Sequence, residues 1–126
     1  MKRNASAVWK GNLKEGAGNL TTQSAVLNQT PYSFRSRFGD GKETNPEELI
    51  GAAHAGCFSM ALSMILEQAG FVADSIETKA VVTLDVASTS ITKVELELRA
   101  QIPKMSEKQF QDLASAARQT VPSRRY

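Results

Sequence analysis

Cys57 is the one side chain in this sequence that is strongly nucleophilic near neutral pH, and it is the only cysteine among 126 residues. Because a thiol reacts as its thiolate, a reactive Cys57 needs a nearby cation that stabilises the negative charge. The cysteine lies in NPEELIGAAHAGCFSMALSMIL, residues 45–66, which carries no charge after Glu48. Three interpretations follow: a small apolar residue in a core, part of a membrane-spanning segment, or a reactive thiol around which the core is built.

Two side chains are candidates for activating this thiol. His54, the only histidine, precedes Cys57 by three residues and so lies on the same helical face. A Cys–His pair is the arrangement of some hydrolases and transferases. However, neighbouring positions on one helix point their side chains outward in parallel, which is poor geometry for proton transfer. A histidine hydrogen-bonded in or near the core is therefore the favoured interpretation of His54.

Arg37 is the second candidate. It lies in YSFRSRF, residues 32–38. The alternation of this segment predicts a strand with its aromatic residues on one face and Ser33, Arg35 and Arg37 on the other. Composition alone would make both arginines surface residues.

Composition excludes several classes of function. A chain of this length predicts one domain, residues 1–126, and the dispersed net charge of +2 indicates no nucleic-acid partner. A single cysteine excludes a disulfide framework and a multi-thiolate zinc site.

The N-terminal segment MKRNASAVWK lacks the apolar segment of a signal peptide, so a cytoplasmic location is expected. The eighteen residues 49–66 are at the lower length limit for a membrane span, and no aromatic belt flanks them, which favours a buried central helix and no membrane.

The remaining sequence predicts antiparallel strands. Residues 76–84 and 94–102 alternate apolar and polar side chains, and the short connection at residues 87–90 predicts a hairpin. Three short N-terminal strands are predicted at SAVWKG, LTTQSAVL and YSFRSRF, separated by breaks at residues 16–19 and 28–31.

Start signals define two helices. Asn45 is a good N-cap, Pro46 suits the first helical position, and Glu47 and Glu48 place negative charge in the first turn. A capping box at residues 106–109 begins a second helix, whose apolar face is Phe110, Leu113, Ala114 and Ala117. The order of elements predicts an α+β domain with antiparallel sheets packed on a buried central helix.

The segment SRFGDGKETNPEELIGAAHAGCFSMAL resembles the osmotically inducible protein C and organic hydroperoxide resistance family, particularly its OsmC branch. The resemblance extends to VWKGNLKEGAGNLTTQSAVLN, ITKVELELRAQIP and SEKQFQDLASAAR, and so covers nearly the whole chain. It implies an intertwined homodimer with active sites at the subunit interface. It also implies reduction of organic hydroperoxides, and less efficiently of hydrogen peroxide, by cysteine chemistry without a metal, haem or flavin.

Carried over by position, the resemblance makes Cys57 the peroxidatic cysteine, Arg37 its activating cation and Glu47 the carboxylate that orients the guanidinium. We expect Arg37 and Glu47 to form a bidentate ion pair. Because ten residues of a straight helix rise about 15 Å, Glu47 and Cys57 share a site only under one of two conditions. Either the helix breaks, at Gly51 or Gly56, or the glutamate comes from the other subunit. Residues expected to line an apolar substrate site, each equally consistent with a core position, are Phe38, Phe58 and Met60.

One feature departs from the family pattern. Members usually carry a resolving cysteine in a CPVS-like segment, followed by a last strand. The cysteine would fall at Val121, whereas this sequence reads QTVPSRRY there, and we expect both the resolving cysteine and the last strand to be absent. A sulfenic acid on Cys57 would then need an external thiol or dithiol, of which a dihydrolipoyl type is one candidate, or it would over-oxidise. Multiple turnover is expected to be slower than in a two-cysteine relative. The alternatives are a one-cysteine peroxide sensor or ligand-binding member of the fold and, third, a Cys–His hydrolase.

Overall fold

The computed structural model describes residues 1–120. The chain divides into two compact units, Met1–Leu49 and the residues from Ile50 onward, and each is described by itself. The first unit is mainly a sheet, and the second contains a hairpin and two helices. The expectation that residues 1–126 form one domain stays a prediction.

The first unit contains a three-stranded antiparallel sheet in the order β1 (Ala5–Lys10), β2 (Ala17–Thr22) and β3 (Thr30–Tyr32). The strand predicted at residues 20–27 is only partly correct, because β2 begins earlier and ends at Thr22. Beyond it the chain turns, and Leu27 exchanges hydrogen bonds with Thr22: its N–H donates to Oγ1 (3.2 Å) and its carbonyl accepts from the backbone N–H (2.9 Å). A threonine side chain that bonds the backbone in this way favours a turn over a continued strand.

The strand predicted for YSFRSRF is wrong beyond Tyr32, because residues Phe34–Phe38 form a short helix, α1. Ser33 is its N-cap: the backbone N–H of Ser36 donates to the Ser33 hydroxyl, and the backbone N–H of Ser33 donates to the Ser36 hydroxyl. This reciprocal capping box stabilises a helix start. Phe34 and Phe38 still share a face, since residues four apart are neighbours on a helix, and their ring centroids lie 4.9 Å apart.

The second unit contains most of α2 (Pro46–Gln68), then β4 (Ser75–Asp85), β5 (Ser90–Gln101) and α3 (Glu107–Thr120). The predicted hairpin is confirmed, with Val82 opposite Val94 and a register shift between Thr83 and Leu84. The capping box that begins α3 is also confirmed, since the Ser106 N–H donates to Gln109 Oε1 at 3.0 Å and the Gln109 N–H to Ser106 Oγ at 3.1 Å.

The core of the second unit lies between α2, the inner face of the hairpin and α3. Its buried residues are Phe58, Leu62, Ile65, Leu66 and Ala117. Half-buried apolar side chains from β4, β5 and α3 pack around them, including Ile76, Leu96, Leu98 and Phe110. Close packing of this kind is the main source of stability for a small domain.

Helix α2 differs from the sequence-based expectation, because it is buried on one side rather than all round. Its exposed face carries small or apolar side chains: Ala52, Ala53, Cys57, Met60 and Met64. By length and composition α2 could cross a membrane, and 28% of its apolar eighteen-residue window is buried. The core helix of a water-soluble protein meets the same two criteria.

Candidate active site

An ion pair between Arg37 and Glu47 is the main electrostatic feature of the first unit. Arg37 donates from both Nε (3.1 Å) and Nη2 (3.0 Å) to the same carboxylate oxygen, Oε1. The Glu47 side chain is 10% exposed, whereas that of Arg37 is 37% exposed. The expected bidentate pair is therefore not formed, and the buried Oε2 has no hydrogen-bond partner among the described residues. The pair leaves the Arg37 side chain partly exposed and one carboxylate oxygen able to accept a further hydrogen bond.

The side chain of Asn45 joins the two helices that carry this pair. Its Oδ1 accepts from the backbone N–H of Glu48 at 2.9 Å, which confirms the predicted N-cap of α2. Its Nδ2 donates to the carbonyl of Ser36 in α1 at 3.0 Å, a second role that the capping pattern did not indicate. Gly41 allows the intervening loop to return close to α1, since a Cβ there would lie 2.7 Å from the backbone nitrogen of Ser36.

Substituting Asn45 tests this arrangement. We expect Asn45→Ala to lower the free energy of unfolding by about 2 kcal/mol, because both the cap and the bridge to Ser36 are lost. Asn45→Asp keeps the cap acceptor and loses the donor, so we expect a loss of about 1 kcal/mol. Urea denaturation of the two variants measures the difference, and equal losses would mean that the cap contributes nothing.

Arg37 also lies in the wall of a cavity in the first unit, which we call the aromatic cavity. Its volume is about 180 Å³, and its lining residues are Trp9, Leu13, Tyr32, Ser33, Phe34, Arg37 and Phe38. The guanidinium carbon of Arg37 is 5.3 Å from the centre of the Phe38 ring, a cation–π contact. Of these residues, only Arg37 and Phe38 were predicted as site residues from the sequence. Tyr32 and Phe34 could have been predicted as lining residues too, because they lie close to Arg37 in the sequence.

The residues predicted on α2 lie in different surroundings. Cys57 is exposed, as is Met60, whose exposed fraction is 77%. Phe58 is 2% exposed and belongs to the core of the second unit. Of its two interpretations from the sequence, the structure therefore favours the core residue over the substrate-lining residue. His54 is half-buried. Helix α2 continues without interruption through Gly51 and Gly56, so the first of the two alternative conditions, a break in the helix, is not met.

The structure thus brings together three of the predicted site residues: Arg37, Phe38 and Glu47. Cys57 belongs to the other unit, and its association with Arg37 and Glu47 stays a prediction. Within residues 1–120, no group of three or more His, Cys, Asp and Glu side chains could hold a metal ion. Val121, the position expected for a resolving cysteine, lies outside the described residues.

Comparison with known proteins identifies the family of this chain. A family model described as OsmC-like protein matches residues 39–124. Peroxiredoxin OsmC of Escherichia coli (strain K12) is 47% identical over 122 residues, which cover 95% of this chain and 85% of that protein. The organic hydroperoxide resistance protein of Xanthomonas axonopodis pv. citri (strain 306) is 31% identical over 99 residues, 74% of this chain and 64% of the relative. A crystal structure of an organic hydroperoxide resistance protein from Elizabethkingia anophelis has the same fold, with a TM-score of 0.70 at 24% identity over 97% of this chain and 86% of the other. The chain belongs to the OsmC-like protein family.

Proposed function

We propose that this protein is a thiol-dependent peroxidase that reduces organic hydroperoxides to alcohols, and hydrogen peroxide less efficiently, with Cys57 as the nucleophile. Relatives named peroxiredoxin and organic hydroperoxide resistance protein support a peroxide-related function. The observation that carries the proposal is the buried carboxylate of Glu47 holding the Arg37 guanidinium at the wall of an apolar cavity. A cation fixed beside an apolar space suits an anionic transition state that has a hydrocarbon substituent.

The reaction proceeds in two halves. The Cys57 thiolate attacks the distal oxygen of the hydroperoxide, the O–O bond breaks, and the alkoxide leaves as the alcohol after taking up a proton. Cys57 is then a sulfenic acid. An external thiol attacks its sulfur, releases water and forms a mixed disulfide, which a second thiol resolves to restore Cys57. Arg37 stabilises the thiolate and the charge on the breaking O–O bond, and Glu47 orients the guanidinium.

The proposal places each active site at the interface of a homodimer. Because α2 is continuous, ten residues of helix separate Glu47 from Cys57 along one chain, a rise of about 15 Å. We therefore assign to each Cys57 the ion pair formed by Arg37 of the partner subunit and Glu47 of the partner subunit. The apolar exposed face of α2, which carries Cys57 and Met60, supports burial of this surface on assembly. We place the dimer in the cytoplasm, where reducing thiols are available.

Intact-mass spectrometry tests the first half of the reaction. We expect the reduced protein to gain one oxygen after one equivalent of an alkyl hydroperoxide, and a dithiol to reverse that gain. The Cys57→Ser variant is the control, since oxidation of a methionine would persist in it. If the wild-type protein gains no oxygen at a stoichiometric dose, the proposed function is wrong and Cys57 is an inert thiol.

A peroxide sensor or ligand-binding protein of the same fold is the second candidate. It is favoured by the presence of a single cysteine in these 126 residues, which hold no second thiol that could resolve the sulfenic acid. The same experiment separates the two candidates when it is repeated with excess hydroperoxide and dithiol. Steady consumption of hydroperoxide indicates a peroxidase, whereas a stable sulfenic acid without turnover indicates a sensor.

A further inference from the structure

We infer that the aromatic cavity holds the hydrocarbon part of the substrate and selects hydroperoxides with a compact aryl group over straight-chain alkyl hydroperoxides and hydrogen peroxide. The inference rests on the proposed function and deepens it. Trp9, Leu13 and Tyr32 are then the specificity-determining residues, although none of them is chemically reactive in the mechanism.

The size of the cavity matches one substituted aromatic ring. Its volume is about 180 Å³. An engineered protein cavity of about 150 Å³ lined by apolar side chains binds benzene. A phenyl group with a branched carbon therefore fills the space, whereas a long alkyl chain would extend into water and bury a smaller fraction of its surface.

The walls of the cavity are suited to a ring rather than to any apolar group. Trp9 and Tyr32 stand on opposite sides of Gly18, with which both are paired in the sheet, and their ring centroids are 5.4 Å apart. Gly18 is needed beneath them, since a Cβ there would lie 2.5 Å from the Trp9 ring and 2.6 Å from the Tyr32 ring. Aromatic walls offer a ligand ring edge-to-face and offset contacts, which add to the energy of apolar burial.

The cavity also has a polar end, which orients its occupant. Arg37 is the one charged residue among its lining residues, and Glu47 holds the Arg37 guanidinium. A ligand with an aryl group and a hydroperoxide group can therefore bury its ring against Trp9 and Tyr32 and direct its oxygens toward Arg37. Trp9 is fixed before binding, because its Nε1 donates to the carbonyl of Asn12 at 3.3 Å. A preformed wall of this kind reduces the entropic cost of binding.

The first test measures binding without chemistry. Trp9 is the only tryptophan in the chain, so its fluorescence reports on the cavity directly. We expect 2-phenyl-2-propanol, the alcohol formed from cumene hydroperoxide, to change this fluorescence in a saturable way in the Cys57→Ser variant as well as in the wild type. Nonan-1-ol has the same number of carbon atoms in a straight chain, and we expect its half-maximal change to require about tenfold more ligand. Equal affinity for the two alcohols, or no saturable change with either, overturns the inference.

The second test fills the cavity without disturbing the fold. Leu13 lines the cavity but is 62% exposed, so Leu13→Phe can occupy the space at little cost in stability. We expect the ratio of kcat/KM for cumene hydroperoxide to kcat/KM for hydrogen peroxide to fall about tenfold. Val26→Phe is the matched control, because Val26 is 82% exposed and is not a lining residue. An equal fall for both peroxides, or no fall for cumene hydroperoxide, overturns the inference.

Failure of the proposed function and failure of this inference give different results. If Cys57 is not a peroxidatic residue, no hydroperoxide oxidises the wild-type protein at stoichiometric dose, whether or not the alcohol binds. If only the inference is wrong, the wild-type protein reduces hydroperoxides, but Leu13→Phe has no selective effect and the aryl alcohol has no advantage in binding.

Discussion

Replacing Arg37 by methionine is expected to slow the oxidation of Cys57 by an organic hydroperoxide about 10²- to 10³-fold, the usual effect of removing one group that stabilises charge in a transition state. Methionine keeps much of the length and apolar surface of the arginine stem, so the aromatic cavity keeps its wall. The rate constant for the first oxidation is measured by stopped-flow mixing of reduced protein with hydroperoxide. This single-turnover measurement excludes any contribution from the external thiol.

Arg35→Met is the matched control for the effect of Arg37. Arg35 is also in α1, but its side chain is 75% exposed and pairs with Asp40, whose side chain is 91% exposed. Exposed pairs contribute little, so this variant should oxidise at the wild-type rate. Arg37→Lys should restore part of the rate, because it keeps the charge and loses the planar arrangement of donors. A wild-type rate in Arg37→Met would contradict the mechanism and would be expected of a hydrolase that uses His54.

Replacing Phe58 by alanine is expected to lower the free energy of unfolding by about 3–5 kcal/mol, since the ring leaves a cavity in the core. Phe58 is 2% exposed and packs with Leu62, Leu66 and Ala117. A loss of this size is a large part of the total stability of a small domain. Denaturation in urea measures it, provided that all variants are compared at one protein concentration.

Met60→Ala separates the role of Phe58 in the core from a role in substrate binding. Met60 is on the same helix and 77% exposed, so its substitution should change the stability of the isolated subunit little. If Phe58→Ala were as stable as the wild type and instead raised the KM for hydroperoxides, the assignment of Phe58 to the core would be refuted.

Local signals in the sequence predicted the starts of α2 and α3 correctly, because a cap depends on residues within one turn. Asn45 and Ser106 both accept the hydrogen bonds expected of them. Periodicity failed at residues 34–38 because Phe34 and Phe38 share a face at the spacing of a helix as well as of a strand. The Ser33–Ser36 capping box favours the helix over the strand. It is hard to recognise in the sequence, because Ser36 stands where a capping box usually has Glu or Gln.

The candidate site was less accessible to sequence reasoning than the fold. Nothing local to Arg37 indicates that a carboxylate ten residues away will hold it, and the family resemblance supplied that pairing. The aromatic cavity depends on the register that places Trp9 and Tyr32 on either side of Gly18, which is a property of three paired strands. Long-range pairing of this kind has no signature in a window of a few residues.

If the proposed dimer forms, the exposed face of α2 links the reactivity of Cys57 to the protein concentration. Cys57 and Met60 lie on a surface that, in the proposed dimer, the second subunit covers. A residue that reacts only in an assembled site follows the law of mass action, so its reactivity per molecule falls when dilution favours separate subunits. The total peroxidase activity would then rise more than twofold when the amount of protein doubles, because a higher concentration also raises the fraction of chains that are paired.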